Sequence, residues 1–326
     1  MNTAQIIRRA LFDIDAVERD RTTADYYTQE ELLAWTNEAK DICESLIRQV
    51  NADYNLVTRL STDSSFRFEG ITYAPSSFQL LTTTSTYTLP PDLIELRKIR
   101  VITAGEESRV LTALDISHPT FKYLQSQDRT NTTGGEIYYD ILGERTLYLS
   151  QPPDATLDLE ITYLQRTPKL QLYSTGTVSI TQDTDDVVGV SSLWVDNALV
   201  TPAEIMVAAA TAAPKFASDI SGGTWVDPGL QYAPISTFDT DTTLTLQANW
   251  LIATVSAVGH LIASVPQIPA EHRHLLSTYV AGKCLEKSGH PAAATKMALF
   301  QKGAAIMTGS MAERQSVDPV FVDDYE

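Results

Sequence analysis

Two histidines, His272 and His274, flank an arginine in the segment IPAEHRHLLS. Imidazole side chains are common metal ligands and acid–base catalysts, so the segment has the residue types of such a site. However, Pro269 suits the first position of a helix, and an apolar helical face begins at Leu275. Side chains two residues apart on a helix point about 200° away from each other, whereas a helical pair of metal ligands needs a spacing of three or four residues. We therefore predict the first turn of a helix and no metal site.

The other candidates for chemistry fail on spacing or context. His118 lies three residues after Asp115 in DISHPT, but the chain has no Gly-x-Ser-x-Gly turn or cysteine nucleophile motif to complete a catalytic site. Pairs of aspartates offer the oxygens that Ca²⁺ prefers, but no pair lies in a loop with regularly spaced ligands. These pairs are at residues 185 and 186, 239 and 241, and 323 and 324. We therefore predict no catalytic residue, no metal and no cofactor.

Composition and charge exclude several classes of protein. The chain has 326 residues, of which 43% are hydrophobic, and a formal net charge of −17. This excess of acid opposes binding to nucleic acids and anionic membranes, because like charges repel. Cys43 and Cys284 are too few for a disulfide framework and indicate buried thiols in a reducing compartment. Apolar runs stay below the about 18–20 residues of a membrane span, and the N-terminus lacks the apolar stretch of a signal peptide, so we expect a soluble intracellular product.

Apolar residues at helical spacing predict four helices, at Gln5–Val17, Thr28–Asn51, Pro269–Lys287 and Ala292–Glu313. The second begins with a capping box formed by Thr28 and Glu31. The segment Gly289–Pro291 separates the last two helices. The second and third helices have apolar faces that include Leu32, Trp35, Ile42 and Leu46, and Leu275, Leu276, Tyr279 and Val280, respectively.

Strand-type patterns follow the second helix. In TYTLPPDLIELRKIRVI, a turn at Pro90–Pro91 leads into a strand. Three further strands are predicted at residues 136–142, 146–150 and 156–164, separated by the turns LGER and QPPDA. In the last of these, apolar and polar residues alternate, as a strand with one buried face requires. The apolar positions are Leu157, Leu159, Ile161 and Tyr163.

Residues 174–257 differ from the rest of the chain in composition and residue pattern. Short β-prone runs dominate, acidic residues outnumber basic ones, and the helix predicted after Pro269 follows shortly afterwards. We predict an inserted all-β module, because both of its ends return to one scaffold. Its predicted core consists of Val178, Val188, Trp194, Ile235, Leu244 and Leu246.

The predicted fold class is therefore α+β. N-terminal and C-terminal helices form a bundle with an antiparallel β portion, and together they make a scaffold of residues 1–173 and 258–313. The all-β module of residues 174–257 is inserted into this scaffold. Residues 314–326, RQSVDPVFVDDYE, follow the last helix and form an extended C-terminal tail.

The order of several segments resembles that of the head-to-tail adaptor, or connector, proteins of tailed bacteriophages. These segments are IIRRAL, YTQEELLAWTNEAKDIC, YTLPPDLIELRKIRV, GGEIYYDILGERTLYLSQPPDATLDLEITYLQRTPKL and QIPAEHRHLLSTYVAGKCLEK. The resemblance covers Met1 to Leu170 and Val265 to Glu313. The inserted module is similar to small β modules of phage tail and neck proteins, through GTVSITQDTDDVVGVSSLW and YAPISTFDTDTTLTLQANW.

The resemblance implies a non-enzymatic structural protein of the virion neck, made in the cytoplasm of the bacterial host. It implies a homo-oligomeric ring, expected to be a dodecamer, docked beneath the portal protein of the head. Double-stranded DNA would pass through this ring during ejection without specific binding. The inserted module would face tail, nozzle or fibre proteins. No membrane partner is expected.

The resemblance also assigns roles to individual residues. The second and third helices become ring-building helices, through Leu32, Trp35, Ile42, Leu46, Leu275, Leu276, Tyr279 and Val280. The tail becomes a portal-binding segment, because an extended segment that becomes ordered on docking adds a strand to an edge or fills a groove. Its apolar anchors are Val317, Val320, Phe321, Val322 and Tyr325.

Two other functions stay open at the level of the sequence. One is a tail-fibre or baseplate attachment protein, which the β module allows. The other is a tail-associated enzyme that cleaves glycans, which requires two carboxylates facing a sugar cleft. Asp and Tyr residues are numerous, but no motif supports this second alternative.

Overall fold

The computed structural model describes residues 1–14, 27–103, 109–127, 136–195, 199, 201–207, 232–251 and 254–315. The fold is α+β, as predicted. The chain divides into two compact units, residues 1–52 with 169–326 and residues 53–168.

Within the described residues, the helices are α1 (Thr3–Phe12), α2 (Gln29–Val50), α3 (Pro119–Gln125), α4 (His274–Lys287) and α5 (Ala292–Gln315). The strands are β1 (Leu56–Leu60), β2 (Phe66–Phe68), β3 (Ile71–Tyr73), β4 (Thr86–Thr88), β5 (Leu93–Val101), β6 (Thr112–Ala113), β7 (Tyr138–Leu142), β8 (Thr146–Leu149), β9 (Leu159–Gln165), β10 (Leu172–Tyr173), β11 (Thr177–Ile180), β12 (Asp186–Val190), β13 (Ala203–Val207), β14 (Tyr232–Phe238), β15 (Thr243–Leu246) and β16 (Val255–Ser264). No helix in the described part of the chain has the length and apolarity that crossing a bilayer requires.

The capping box predicted for α2 is confirmed. The backbone N–H of Glu31 donates to Thr28 Oγ1 at 3.2 Å, and the backbone N–H of Thr28 donates to Glu31 Oε2 at 3.1 Å. The predicted start of α1 at Gln5 is wrong, because Asn2 forms a second capping box with Gln5 and the helix begins at Thr3. This helix also ends earlier than predicted, at Phe12.

The predicted helix start at Pro269 is also wrong. Pro269 has an extended backbone, with ψ at 135°, and Ala270–His272 form a turn of 3₁₀-helix before α4 begins at His274. A proline is well suited to a first helical position, but it equally suits the extended residue that precedes a turn. The break between α4 and α5 lies at the predicted place, with Gly289 in the left-handed region at φ 66°.

Helices α1, α2 and α5 pack around α4. Ile7, Ala10 and Leu11 of α1 meet residues of α2 and α4 in one buried apolar cluster. The α2 and α4 members of this cluster are Leu32, Val280, Ala281 and Cys284. Burial raises the pKa of the Cys284 thiol to about 12, and that of Cys43 likewise. Both cysteines are therefore reduced, uncharged parts of the core.

Six strands close into an antiparallel barrel in the order β16-β11-β12-β15-β14-β13, and β13 pairs with β16 to complete it. The short strand β10 pairs with Ile262 and Ala263, near the C-terminal end of β16. In β11 and β15, threonine or serine alternates with a buried valine, isoleucine or leucine, so the apolar residues fill the barrel interior. Val178, Trp194, Ile235, Leu244 and Leu246 lie in this interior.

Val188, which the sequence predicted to lie in the module's core, is instead 51% exposed on the outside of the barrel. Its neighbours Val187 and Gly189 face inward, and Val190 faces outward with it. A strand alternates its two faces, so a shift of one residue exchanges the inner and outer sets. Gly189 is required at its position, because a Cβ there would lie 2.8 Å from the Trp194 ring and 2.3 Å from Ser192 Oγ.

The barrel is continuous with its surroundings at both ends of the predicted module. Strand β16 runs through residue 257, the predicted boundary, to Ser264. Ala4 of α1 packs with Met206, Leu261 and Ala263 of the barrel, and Thr3 Oγ1 donates to the Ser264 carbonyl at 2.7 Å. That residues 174–257 fold by themselves stays a prediction.

Residues 53–168 form the second unit. It contains a three-stranded sheet, β1-β9-β5, a four-stranded sheet, β4-β8-β7-β6, and the hairpin β2-β3. The alternation predicted around β9 is confirmed, because its apolar positions are buried and the polar residues between them are half-buried. The buried positions are Leu157, Leu159, Ile161 and Tyr163. The strand itself begins later than predicted, at Leu159.

His260 of β16 is fully buried inside the barrel. Its Nε2 lies 3.3 Å from Trp194 Nε1, which donates to it, and the two rings meet edge to face. Burial lowers the pKa of His260 to about 4, because an imidazolium would be costly in this apolar interior. The imidazole is therefore neutral at pH 7.

We expect the barrel to lose stability as the pH falls from about 6.5 towards 4. Over this range a histidine in the unfolded chain gains a proton that folded His260 does not accept, which lowers the free energy of unfolding by about 3 kcal/mol at pH 4 relative to pH 7. Urea denaturation followed by tryptophan fluorescence at both pH values measures this loss. In His260→Gln the free energy of unfolding should fall less between pH 7 and pH 4 than in the unmodified protein, and the difference should equal that amount. Equal decreases in the two proteins would contradict the role of His260.

Candidate functional site

The two histidines that opened the sequence analysis contact different groups. His272 Nε2 lies 3.2 Å from Ser310 Oγ of α5, and His274 Nδ1 lies 2.8 Å from the carbonyl oxygen of Glu271. The first contact ties the turn before α4 to α5. Among the residues that the structure describes, no group of three or more His, Cys, Asp or Glu side chains is arranged to hold a metal ion.

His118 and Asp115 both serve the start of α3. His118 Nδ1 accepts a hydrogen bond from the backbone N–H of Thr120 at 3.2 Å, and Asp115 accepts from the backbone N–H of Ser117 at 2.6 Å. The bonds from Ser117 hold the pKa of the Asp115 carboxyl below its usual range. Both side chains are thus used as turn and helix caps.

The segment YTLPPD, which carries part of the family resemblance, builds a buried polar cluster in the second unit. Asp92 is fully buried, and its carboxylate accepts hydrogen bonds from Tyr163 Oη at 2.9 Å, Gln165 Nε2 at 2.9 Å and Arg59 Nη2 at 3.3 Å. We call Asp92, Arg59, Tyr163 and Gln165 the Asp92 cluster. Burial, and then the negative charge of Asp92, raises the pKa of Tyr163. A buried carboxylate is tolerable only with such a complete set of partners.

The remaining residues of YTLPPD hold Asp92 in place. The Tyr87 hydroxyl donates to the Thr84 carbonyl at 2.5 Å and accepts from the backbone N–H of Leu81 at 2.9 Å. Leu89 and both prolines are buried, and the prolines restrict the backbone just before Asp92. The motif therefore has a structural role. Sequence reasoning missed Asp92 and Arg59, although an acid in the otherwise apolar run LPPDLI signals a buried carboxylate.

The most unusual surface of the first unit is one side of α5. Phe300, Ala304, Met307 and Met311 are buried against the rest of the subunit. The opposite side is also apolar, and Leu299 and Ile306 on it are 52% and 60% exposed. We call this side the outward face of α5, and it consists of Ala298, Leu299, Lys302, Ala305, Ile306, Gly309 and Ala312.

Among the α5 side chains that the structure describes, Lys302 is the one charged residue of the outward face. A helix at a protein surface normally carries charged and polar residues on its solvent side, and a helix that is apolar on all sides is normally buried. Exposed leucine and isoleucine one heptad apart, among alanines and a glycine, have the composition of a helix-packing surface. Sequence reasoning missed this surface. The sequence could have indicated it, because the apolar residues of Ala292–Glu313 are distributed around the whole helix and not confined to one side.

Most of the residues predicted to build a ring lie inside the subunit. Five of them are at most 3% exposed and pack in the subunit's own core. These are Leu32, Leu275, Leu276, Tyr279 and Val280. Trp35, Ile42 and Leu46 are half-buried along one flank of α2, because the buried side of that helix is centred on Thr36, Ala39, Cys43 and Ile47.

The predicted portal-binding residues Val317, Val320, Phe321, Val322 and Tyr325 lie outside the described residues. Helix α5 leads directly into the segment that contains them. Their assignment stays a prediction.

The Asp92 cluster yields a stability prediction. Asp92→Ala is expected to lower the free energy of unfolding by about 3 kcal/mol, because it leaves Arg59 and Tyr163 without their buried acceptor. Tyr163→Phe removes one bond and should cost about 1 kcal/mol. The matched control is Glu144→Ala, an exposed acid in the same unit, with an expected change within about 0.5 kcal/mol. Urea denaturation followed by circular dichroism distinguishes these values, and equal curves for Asp92→Ala and the control would contradict the prediction.

Comparison with known proteins places the chain in a family. A search of curated proteins finds no match. The family model for the SU10 adaptor protein matches residues 1–200, which include α1, α2, the Asp92 cluster and the barrel strands β11 and β12. The match covers more than half of the chain and confirms the resemblance to phage adaptors. The chain therefore belongs to the SU10 adaptor protein family and is a structural adaptor protein of a bacteriophage.

Proposed function

We propose that this chain is a head-to-tail adaptor that forms an oligomeric ring beneath the portal of the head. The ring extends the DNA channel and gives tail, neck or fibre proteins a surface to attach to. Its place is the neck of the virion, and its chemistry is limited to binding other proteins. Membership of an adaptor family supports this role.

The observation that carries the proposal is the outward face of α5. Leu299 and Ile306 are more than half exposed, and Lys302 is the one charged residue between them on this face. A lone subunit leaves this apolar surface in water, and contact with another subunit removes it from water. Self-association in a ring is the simplest assembly that repeats such a contact around a channel.

The charge of the chain supports a channel that does not hold DNA. Each copy has a formal net charge of −17, so every added copy increases the repulsion between the ring and the phosphates. A contact between lysine or arginine and a phosphate would be a salt-dependent point of adhesion. An acidic ring therefore favours free passage of the duplex.

The outside of the barrel supports attachment of further proteins. Val188 and Val190 project from β12 and are 51% and 60% exposed. Exposed aliphatic residues on a sheet favour contact with another protein surface. The barrel is therefore the part of the subunit that we assign to tail, nozzle or fibre proteins.

Electron microscopy of the full chain mixed with portal rings of the same phage tests the proposal. We expect a second ring on one end of the portal ring. Portal rings without added density, or with a single copy attached, would contradict it. Binding to purified fibre or baseplate proteins but not to portal would instead favour the attachment protein, and solubilisation of host cell walls would favour the glycan-cleaving enzyme.

The role of the C-terminal segment is tested by removing residues 316–326, which follow α5. We expect unchanged helical circular dichroism and at least tenfold weaker co-sedimentation with portal rings, because the apolar anchors Val320 and Phe321 are lost. Replacing these two residues by serine should weaken binding in the same direction, whereas the control Ser316→Ala should not. Full binding by the truncated chain would show that the segment has no part in docking.

A further inference from the structure

We infer that the outward face of α5 packs against the acidic, solvent-facing side of α2 in the next copy of the chain. This inference rests on the ring of the proposed function and names the two surfaces that meet in it. The acidic side of α2 consists of Glu30, Glu38 and Asp41, and it borders the half-buried residues Trp35, Ile42 and Leu46.

The symmetry of a ring requires two different surfaces. When the same surface of two copies meets across a two-fold axis, the contact forms a dimer and leaves no such surface for a third copy. A ring built from one repeated contact needs a head-to-tail arrangement, in which each copy offers one surface to each neighbour. The outward face of α5 must therefore meet a surface other than itself.

The charge of Lys302 gives the same result independently. Lys302 lies between Leu299 and Ile306, in the middle of the outward face of α5. Antiparallel contact between two such faces would bring two lysine ammonium groups close together in an otherwise apolar interface. Like charges in a desolvated contact cost free energy, so the better partner surface is acidic.

The solvent-facing side of α2 fits this requirement. Glu30, Glu38 and Asp41 are exposed, and the side chain of Asp41 is 73% exposed. The basic residues of the helix are less exposed, since Lys40, whose Nζ lies 3.5 Å from Asp41 Oδ1, is only 2% exposed, and Arg48 is half-buried beside Glu44. Within the subunit Glu38 bonds to Tyr279 and Asp41 pairs with Lys40, but both acidic residues remain exposed to solvent.

The apolar spacing of the two helices also matches. Trp35 and Ile42 on α2 are seven residues apart, as are Leu299 and Ile306 on α5. At 1.5 Å per residue both pairs are separated by about 10.5 Å along the helix axis, so the side chains of one helix can fill the spaces between those of the other. Phe12 of α1, another exposed large apolar residue of the first unit, lies near the exposed Arg9, which has the same charge as Lys302.

Assembly on portal rings tests the surface on α5. Leu299→Glu and Ile306→Glu are each expected to reduce the amount of chain bound to portal rings at least tenfold, with unchanged helical circular dichroism, because both side chains are exposed in the lone subunit. The matched control is Tyr123→Glu, which replaces an apolar residue that is 63% exposed in the other unit and should assemble normally. Full assembly of both α5 variants would overturn the inference.

Cross-linking tests the partner surface. Asp41→Cys and Ile306→Cys are prepared separately, assembled on portal rings alone or as a mixture, and treated with a short bismaleimide. Native Cys43 and Cys284 are fully buried, so the introduced thiols are the accessible ones among the described residues. We expect a covalent dimer in the mixture only. A dimer from Ile306→Cys alone, or rings without a cross-link in the mixture, would overturn the inference and leave the proposed function intact, whereas wild-type protein that never forms rings would reject the proposed function itself.

Discussion

The close contact between α4 and α5 decides which side of α5 remains in water. At Gly303 a Cβ would lie 2.2 Å from Leu275 Cδ2, and at Gly282 it would lie 2.7 Å from Met297 Sδ. These two glycines let the helices approach each other, and Tyr279 and Phe300 pack there with ring centroids 4.9 Å apart. Rotation of α5 about its axis would bring larger residues into this contact. The outward face of α5 is therefore fixed by packing on the other side of the same helix.

The parts of the fold that the sequence predicts well are those in which local chemistry has one solution. Thr28 and Glu31 satisfy each other's backbone groups whatever surrounds them, so α2 begins where predicted. The alternation around β9 has period two, and one face of that strand is buried. At Pro269 and Val188 the local sequence is compatible with two different structures. A proline suits both an extended residue and a helix start, and VVGV has two valines on one face and one valine with a glycine on the other.

The candidate site was harder to predict for a different reason. Periodicity reveals that Leu32, Leu276 and Val280 need an apolar environment, but it does not reveal whether the same subunit or another supplies it. All three are buried in the subunit's own core. The outward face of α5 gave no periodic signal, because Phe300 and Met307 on the inner side are matched by Leu299 and Ile306 on the outer side. The acid Asp92 was overlooked because its partners, Arg59 and Tyr163, are distant in sequence.

The size of the exposed apolar surface bears on how a ring would assemble. Burying a whole leucine or isoleucine side chain stabilises by about 1.5–3 kcal/mol, so the exposed halves of Leu299 and Ile306 contribute about 1 kcal/mol each. Association of two proteins costs on the order of 4–15 kcal/mol in lost freedom of motion. Two side chains on α5 therefore do not hold two free subunits together, and the repulsion between copies that each carry a charge of −17 opposes them further. A portal that binds several copies side by side raises their effective concentration enough for a weak contact to form. In the proposed ring, contacts this weak would leave the subunits dispersed until a portal holds several of them side by side.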